Sequence, residues 1–149
     1  SFLIGDEVWL HILYPDEKNV KHLSNGNENN YSLVILLEYR DTSVLFTGDI
    51  EREAEYYLIG RISQTADILK IPHHGSNTSS TQAFLDKVSP ETGIIQVGTN
   101  FFGHPSAQTL DRLDERGIKV FRNDNNGAVL LNYRNNKWTV RTMLEETNE

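Results

Sequence analysis

At 149 residues the chain is long enough for one domain with a buried core, and its 38% hydrophobic and 23% charged content excludes general disorder. A net charge of −7 weighs against broad electrostatic binding of nucleic acid, since Lys and Arg supply most non-specific affinity for phosphates. The absence of cysteine excludes disulfides and thiolate metal sites. The longest apolar run, Leu33–Leu37, is far short of a membrane span. No basic segment followed by an apolar stretch marks a secretory signal, so any membrane anchor is expected outside this chain.

Val8, Leu10 and Ile12 alternate with Trp9, His11 and Leu13, the period of a strand, which Tyr14-Pro15 ends. Residues 16–31 are Asn-rich and polar and read as a long loop. Ser32–Glu38 reads as a continuous apolar strand buried on both faces. Arg40-Asp41-Thr42 makes a turn, Ser43–Thr47 returns as a strand, and Gly48-Asp49 leaves the sheet. Ala54, Leu58 and Ile62 share a helical face in Glu51–Ile62, whose first turn is acidic, as a helix N-terminus favours. Ala66–Ile71 is a short buried strand stopped by Pro72.

Ser79-x-x-Gln82 predicts a capping box for a helix running to Val88, and Gly93–Val97 predicts a strand. Pro105 suits the first turn of a helix on which Ala107, Leu110 and Leu113 share a face and which Gly117 ends. Ile118–Phe121 follows as a strand. Ala128–Tyr133 and Trp138–Met143 form a hairpin around Asn135-Asn136, and the acidic end, Glu145 to Glu149, reads as solvated. Helices that alternate with buried strands indicate an α/β layered fold.

The chemistry concentrates in two places. Phe46-Thr47-Gly48-Asp49 puts a carboxylate where a strand gives way to a helix, as a metal ligand or as an N-cap. Lys70-Ile71-Pro72-His73-His74-Gly75-Ser76 puts two adjacent, diverging imidazoles after another strand. They serve either as loop histidines, or as one ligand and one substrate contact. His104, in Gly103-His104-Pro105-Ser106, is either a simple helix entry or an anion contact at a helix start. His11 fits core packing better than a ligand role, and His22 fits a solvated loop. Phe101 and Phe102 read as packing, or as flanks of a site near His104.

These motifs resemble a family. Asn29-Asn30-Tyr31-Ser32-Leu33-Val34, Thr47-Gly48-Asp49, Leu69-Lys70-Ile71-Pro72-His73-His74-Gly75-Ser76, Gly103-His104-Pro105-Ser106 and Phe121–Val129 occur in the order of the metallo-β-lactamase-fold domain of the ComEC/Rec2 competence proteins. The resemblance runs from about residue 3 to residue 133. It implies an αββα sandwich with metal at one edge, of which this chain matches the C-terminal half. Asp49 would then be a metal-bridging carboxylate and His74 the late histidine ligand. His73 would contact substrate phosphate or support the ligands, and His104 would lie beside the substrate. The family's H-x-H-x-D-H loop has no counterpart here, and Asn29 or Asn30 stands where many members place another histidine.

The resemblance therefore implies a divalent metal, Zn or Mn, in the full-length domain, with weak or no binding by this piece alone. It implies a metal-dependent phosphodiesterase or nuclease within a bacterial membrane protein for DNA uptake. The domain would face the extracytoplasmic side, with DNA or another phosphoester as substrate. This chain by itself would be soluble and inactive, and its missing N-terminal half would leave a sheet face open to self-association. Two alternatives remain from the residues: a stand-alone phosphodiesterase or phosphocholine esterase, which suits the acidic charge, and a non-catalytic interaction module.

Overall fold

The computed structural model describes residues 1–4, 6–16 and 27–144, so His22 and the acidic end lie outside the described residues. Seven strands form one sheet in sequence order: β1 (Phe2–Ile4), β2 (Val8–Tyr14), β3 (Val34–Tyr39), β4 (Thr42–Phe46), β5 (Ile68–Lys70), β6 (Thr92–Ile95) and β7 (Lys119–Arg122). The first four pair antiparallel, β1 with β2 and β3 with β4 through short connections, whereas β4 through β7 run parallel. The parallel strands need crossovers. Helices α1 (Arg52–Ile59), α2 (Gln82–Val88) and α3 (Ala107–Asp114) lie in those crossovers. A one-turn helix α4 (Asn123–Asn126) leads to a separate hairpin, β8 (Val129–Arg134) with β9 (Lys137–Thr142). The chain is thus a mixed α/β fold, as the pattern of elements predicts.

The two sheet faces differ. Leu36, Leu45 and Leu69 stand side by side across β3, β4 and β5 and join Ala54, Leu58, Phe84, Leu85 and Leu113 in the helix-covered core. On the opposite face Val44, Ile68 and Phe121 are buried. The hairpin reaches that face, with Tyr133 edge-on to Tyr39 at 5.6 Å and Trp138 Nε1–H donating to Thr42 Oγ1. Towards β1 the same face is open: Phe2, Ile4, Ile12 and Phe46 are exposed. The expectation that β3 is buried on both faces is therefore corrected. Val34 and Leu36 are buried, but Ile35 and Leu37 on the other face are only half covered.

Other differences are local. β1 has no counterpart in the sequence reading, because three apolar residues give no usable period. Ser79 does not cap α2; its hydroxyl donates to the carbonyls of Pro72 and Ser76, and Thr81 takes the cap by accepting from Phe84 N at 3.3 Å. Pro105 stands outside α3, whose cap is Ser106, accepting from Thr109 N at 3.2 Å. His11 is not a core residue: it is half exposed, stacks on Trp9 and faces Glu38. The long polar loop contains a 3₁₀ turn at Glu28–Tyr31, anchored by the buried Asn30.

Candidate active site

Parallel strands carry their carboxyl ends to one edge of a sheet, where loops meet and ligands bind in open α/β folds. The segments after β4, β5 and β6 supply Thr47-Gly48-Asp49, Pro72-His73-His74-Gly75 and the loop up to His104. All four sequence-predicted site residues come together here. Two glycines make the convergence possible. At Gly48 (φ +57) a Cβ would lie 2.6 Å from Ser32 Cβ, and the Ser32 hydroxyl accepts Asp49 N–H at 3.0 Å. At Gly75 (φ +80) a Cβ would lie 2.6 Å from Pro105 Cβ, while Ser106 N–H donates to Gly75 O at 2.9 Å. The first contact seats the Asp49 turn against the residues before β3, and the second seats the double-histidine turn against the His104 loop.

His73 and His74 both occupy left-handed backbone, φ +46 and +53, a conformation that β-carbon crowding disfavours and that tends to gather at functional sites. The tight turn sends the two rings different ways, with centroids 6.4 Å apart. His74 Nδ1 lies 2.5 Å from Gln96 O, and because a carbonyl only accepts, Nδ1 carries the proton. That leaves Nε2 facing Asp49 Oδ2 at 3.5 Å. His73 instead pairs with Glu51, Nδ1 to Oε1 at 3.3 Å, and its Nε2 is 3.5 Å from the Asn29 amide. Asn29 Nδ2 also donates to Glu51 Oε1 at 2.9 Å. Asn29 is thus the asparagine that reaches the site. Asn30 is structural: its side chain accepts Glu51 N–H at 2.8 Å and donates to Glu53 at 3.0 Å.

His104 closes the group, its ring 5.4 Å from that of His73. Its buried Nδ1 has no hydrogen-bond partner among the described residues. Burial first, and then the neighbouring His73 and His74, hold its pKa below the ordinary imidazole value, so the neutral ring is favoured. Lys70, at the end of β5, donates its ammonium to Gly48 O at 2.8 Å and stands 3.6 Å from Asp49 Oδ1. Burial lowers its pKa and Asp49 partly restores it. A cavity of about 490 Å³ opens beside His74 and His104, walled by Gln96, Thr99, Asn100 and Phe102.

Asp49 Oδ2 and His74 Nε2, 3.5 Å apart, are both atoms of metal-ligand type. A catalytic ion takes about three protein ligands and an open position. Among the described residues no group of three or more His, Cys, Asp or Glu side chains is placed to hold a metal. The Lys70 ammonium also competes for Asp49, so these residues alone do not fit a resident ion. Glu51 and Lys70 are site residues that the sequence reading missed. By sequence Glu51 reads as a helix-end acid and Lys70 as part of a buried strand.

The model of the Metallo-beta-lactamase superfamily matches residues 20–99. ComE operon protein 3 of Bacillus subtilis is 34% identical over 131 residues, 87% of this chain and 16% of that protein. Competence protein ComA of Neisseria gonorrhoeae is 34% identical over 127 residues, 83% of this chain and 18% of that protein. Recombination protein 2 of Haemophilus influenzae is 34% identical over 107 residues, 71% of this chain and 14% of that protein. The chain therefore spans less than a fifth of the length of these curated relatives. No helix among the described residues is long and apolar enough to cross a membrane. With a family model that covers residues 20–99 and the motif residues gathered at one sheet edge, the chain belongs to the metallo-beta-lactamase superfamily.

Proposed function

We propose that this chain is one part of a phosphodiester-hydrolysing domain in a membrane protein that takes up DNA. The observation that carries the reading is the convergence of Asp49, His73, His74 and His104 at one sheet edge, in a chain similar to competence proteins. Asp49 and His74 would be the two donors this chain contributes to a divalent ion, Zn or Mn, held jointly with donors from elsewhere, and that ion would supply Lewis-acid chemistry. The remaining donors come from a further part of the same domain, which also covers the open face around Phe2, Ile4, Ile12 and Phe46.

This chain's own residues handle the substrate. His104, kept neutral by burial, donates its ring N–H to a phosphate oxygen, while His73, held between Glu51 and Asn29, packs beside it and fixes its position. The Lys70 ammonium fixes the Gly48 carbonyl and with it the turn that holds Asp49. The isolated chain is expected to be inactive.

Hydrolysis of bis-p-nitrophenyl phosphate by the complete protein, with Mn or Zn added, tests the reading. Asp49→Ala and His74→Ala should each abolish turnover. A complete protein that takes up no metal and hydrolyses nothing would favour the non-catalytic interaction module instead.

A further inference from the structure

The loop from Thr99 to His104 holds two phenylalanines out in solvent: Phe101 is fully exposed and Phe102 is 82% exposed. A single exposed apolar residue needs no explanation, but two on a braced loop do. The brace is Asn100. Its Oδ1 accepts N–H from Phe102 at 3.0 Å and from His104 at 3.1 Å. Its Nδ2 donates to Gly98 O at 2.9 Å and to His104 O at 2.8 Å. Gly103 (φ +73) turns the chain between the two rings and His104. The loop backbone is thereby fixed while both phenyl rings stay uncovered.

Phe102 lies close to parallel with the His104 imidazole, 24° between planes and 6.0 Å between centroids. Both line the cavity of about 490 Å³ that also reaches His74, a volume within the usual range for small-molecule sites. A flat apolar wall is therefore continuous with the imidazoles that face the phosphate in the reading above. Charge points the same way. A chain of net charge −7 has little affinity to draw from phosphate neutralisation, so affinity for a polynucleotide has to come from contacts that ignore charge. Stacking on an aromatic ring is such a contact, and every base offers a face for it.

We propose that Phe102, backed by His104, is a stacking platform for the nucleobase next to the scissile phosphate, with Phe101 available to the neighbouring base. Stacking of this kind needs an unpaired base, because a base inside a duplex has no free face to present. The inference rests on the phosphodiester reading and adds to it the residue that holds the base.

The test measures anisotropy of two fluorescein-labelled octamers with the full 149-residue chain. One octamer is oligothymidylate, and the other is an abasic deoxyribose-phosphate strand of equal charge. The thymidylate octamer should bind about tenfold tighter, the size of one base–aromatic stack. Phe102→Ala should erase that difference without altering abasic binding, and Phe102→Trp should restore it. Both side chains are exposed, so the variants retain the fold. Equal affinity of the wild-type chain for both octamers, or binding to neither, would overturn the proposal. Equal weakening of both by Phe102→Ala would overturn it too. Equal affinity alongside hydrolysis by the complete protein would sink the stacking platform and leave the phosphodiester reading standing.

Discussion

Gly75 and Pro105 are packed so closely that a Cβ on the glycine would sit 2.6 Å from the proline Cβ. This contact locks the double-histidine turn to the His104 loop, and the left-handed φ of +80 adds a second demand for glycine. Gly75→Ala should cost about 2–4 kcal/mol, combining left-handed strain with overpacking. Urea unfolding measures the loss, and an unchanged midpoint would show that the two loops part freely.

Glu55 is wholly buried, yet its carboxylate accepts backbone N–H from Ser80 at 2.5 Å and Thr81 at 2.8 Å. It therefore ties α1 to the start of α2. Glu55→Ala leaves two buried donors unsatisfied and should destabilise by about 2–4 kcal/mol, with Glu55→Gln milder. Burial raises the Glu55 pKa, so its contribution is fully present below the ordinary carboxyl value and is lost as pH rises through the folded value. The stability of wild type relative to Glu55→Gln should accordingly fall on going upward from about pH 4.5. A flat difference across that range would contradict the assignment.

The sign is opposite for His104. Its folded pKa is depressed, so its contribution is present above the ordinary imidazole value of about 6.5 and is lost as pH falls through the folded value. Acidification below that point should destabilise wild type more than His104→Asn. In NMR, the His104 ring should titrate below the range of a solvated histidine. A normal titration midpoint would mean that the ring is neither desolvated nor crowded by His73 and His74.

Much of this was legible in the sequence, for identifiable reasons. β2 and α1 announce themselves through period and β4 through the turn before it, and glycine stands beside His74 and His104 in the motifs that mark the site. The unread parts depend on tertiary contact. Nothing local tells that Ser79 bonds Pro72 and Ser76 and leaves the cap to Thr81. Nothing local tells that Glu51 turns to His73, or that Lys70 reaches back to Gly48. The half-covered face of β3 was misread for the same reason: an apolar run records what can be buried, not what lies over it.

The central claim is that this sheet edge handles a phosphodiester through Asp49, His74 and His104. It is tested most directly by cleavage of single-stranded DNA by the complete protein, as wild type and with each of the three residues changed to alanine. The account predicts cleavage by wild type, loss of turnover for Asp49→Ala and His74→Ala, and a decrease of about 10²-fold for His104→Ala, the scale of losing one hydrogen-bond donor to developing charge. Cleavage at the wild-type rate by all three variants would contradict it.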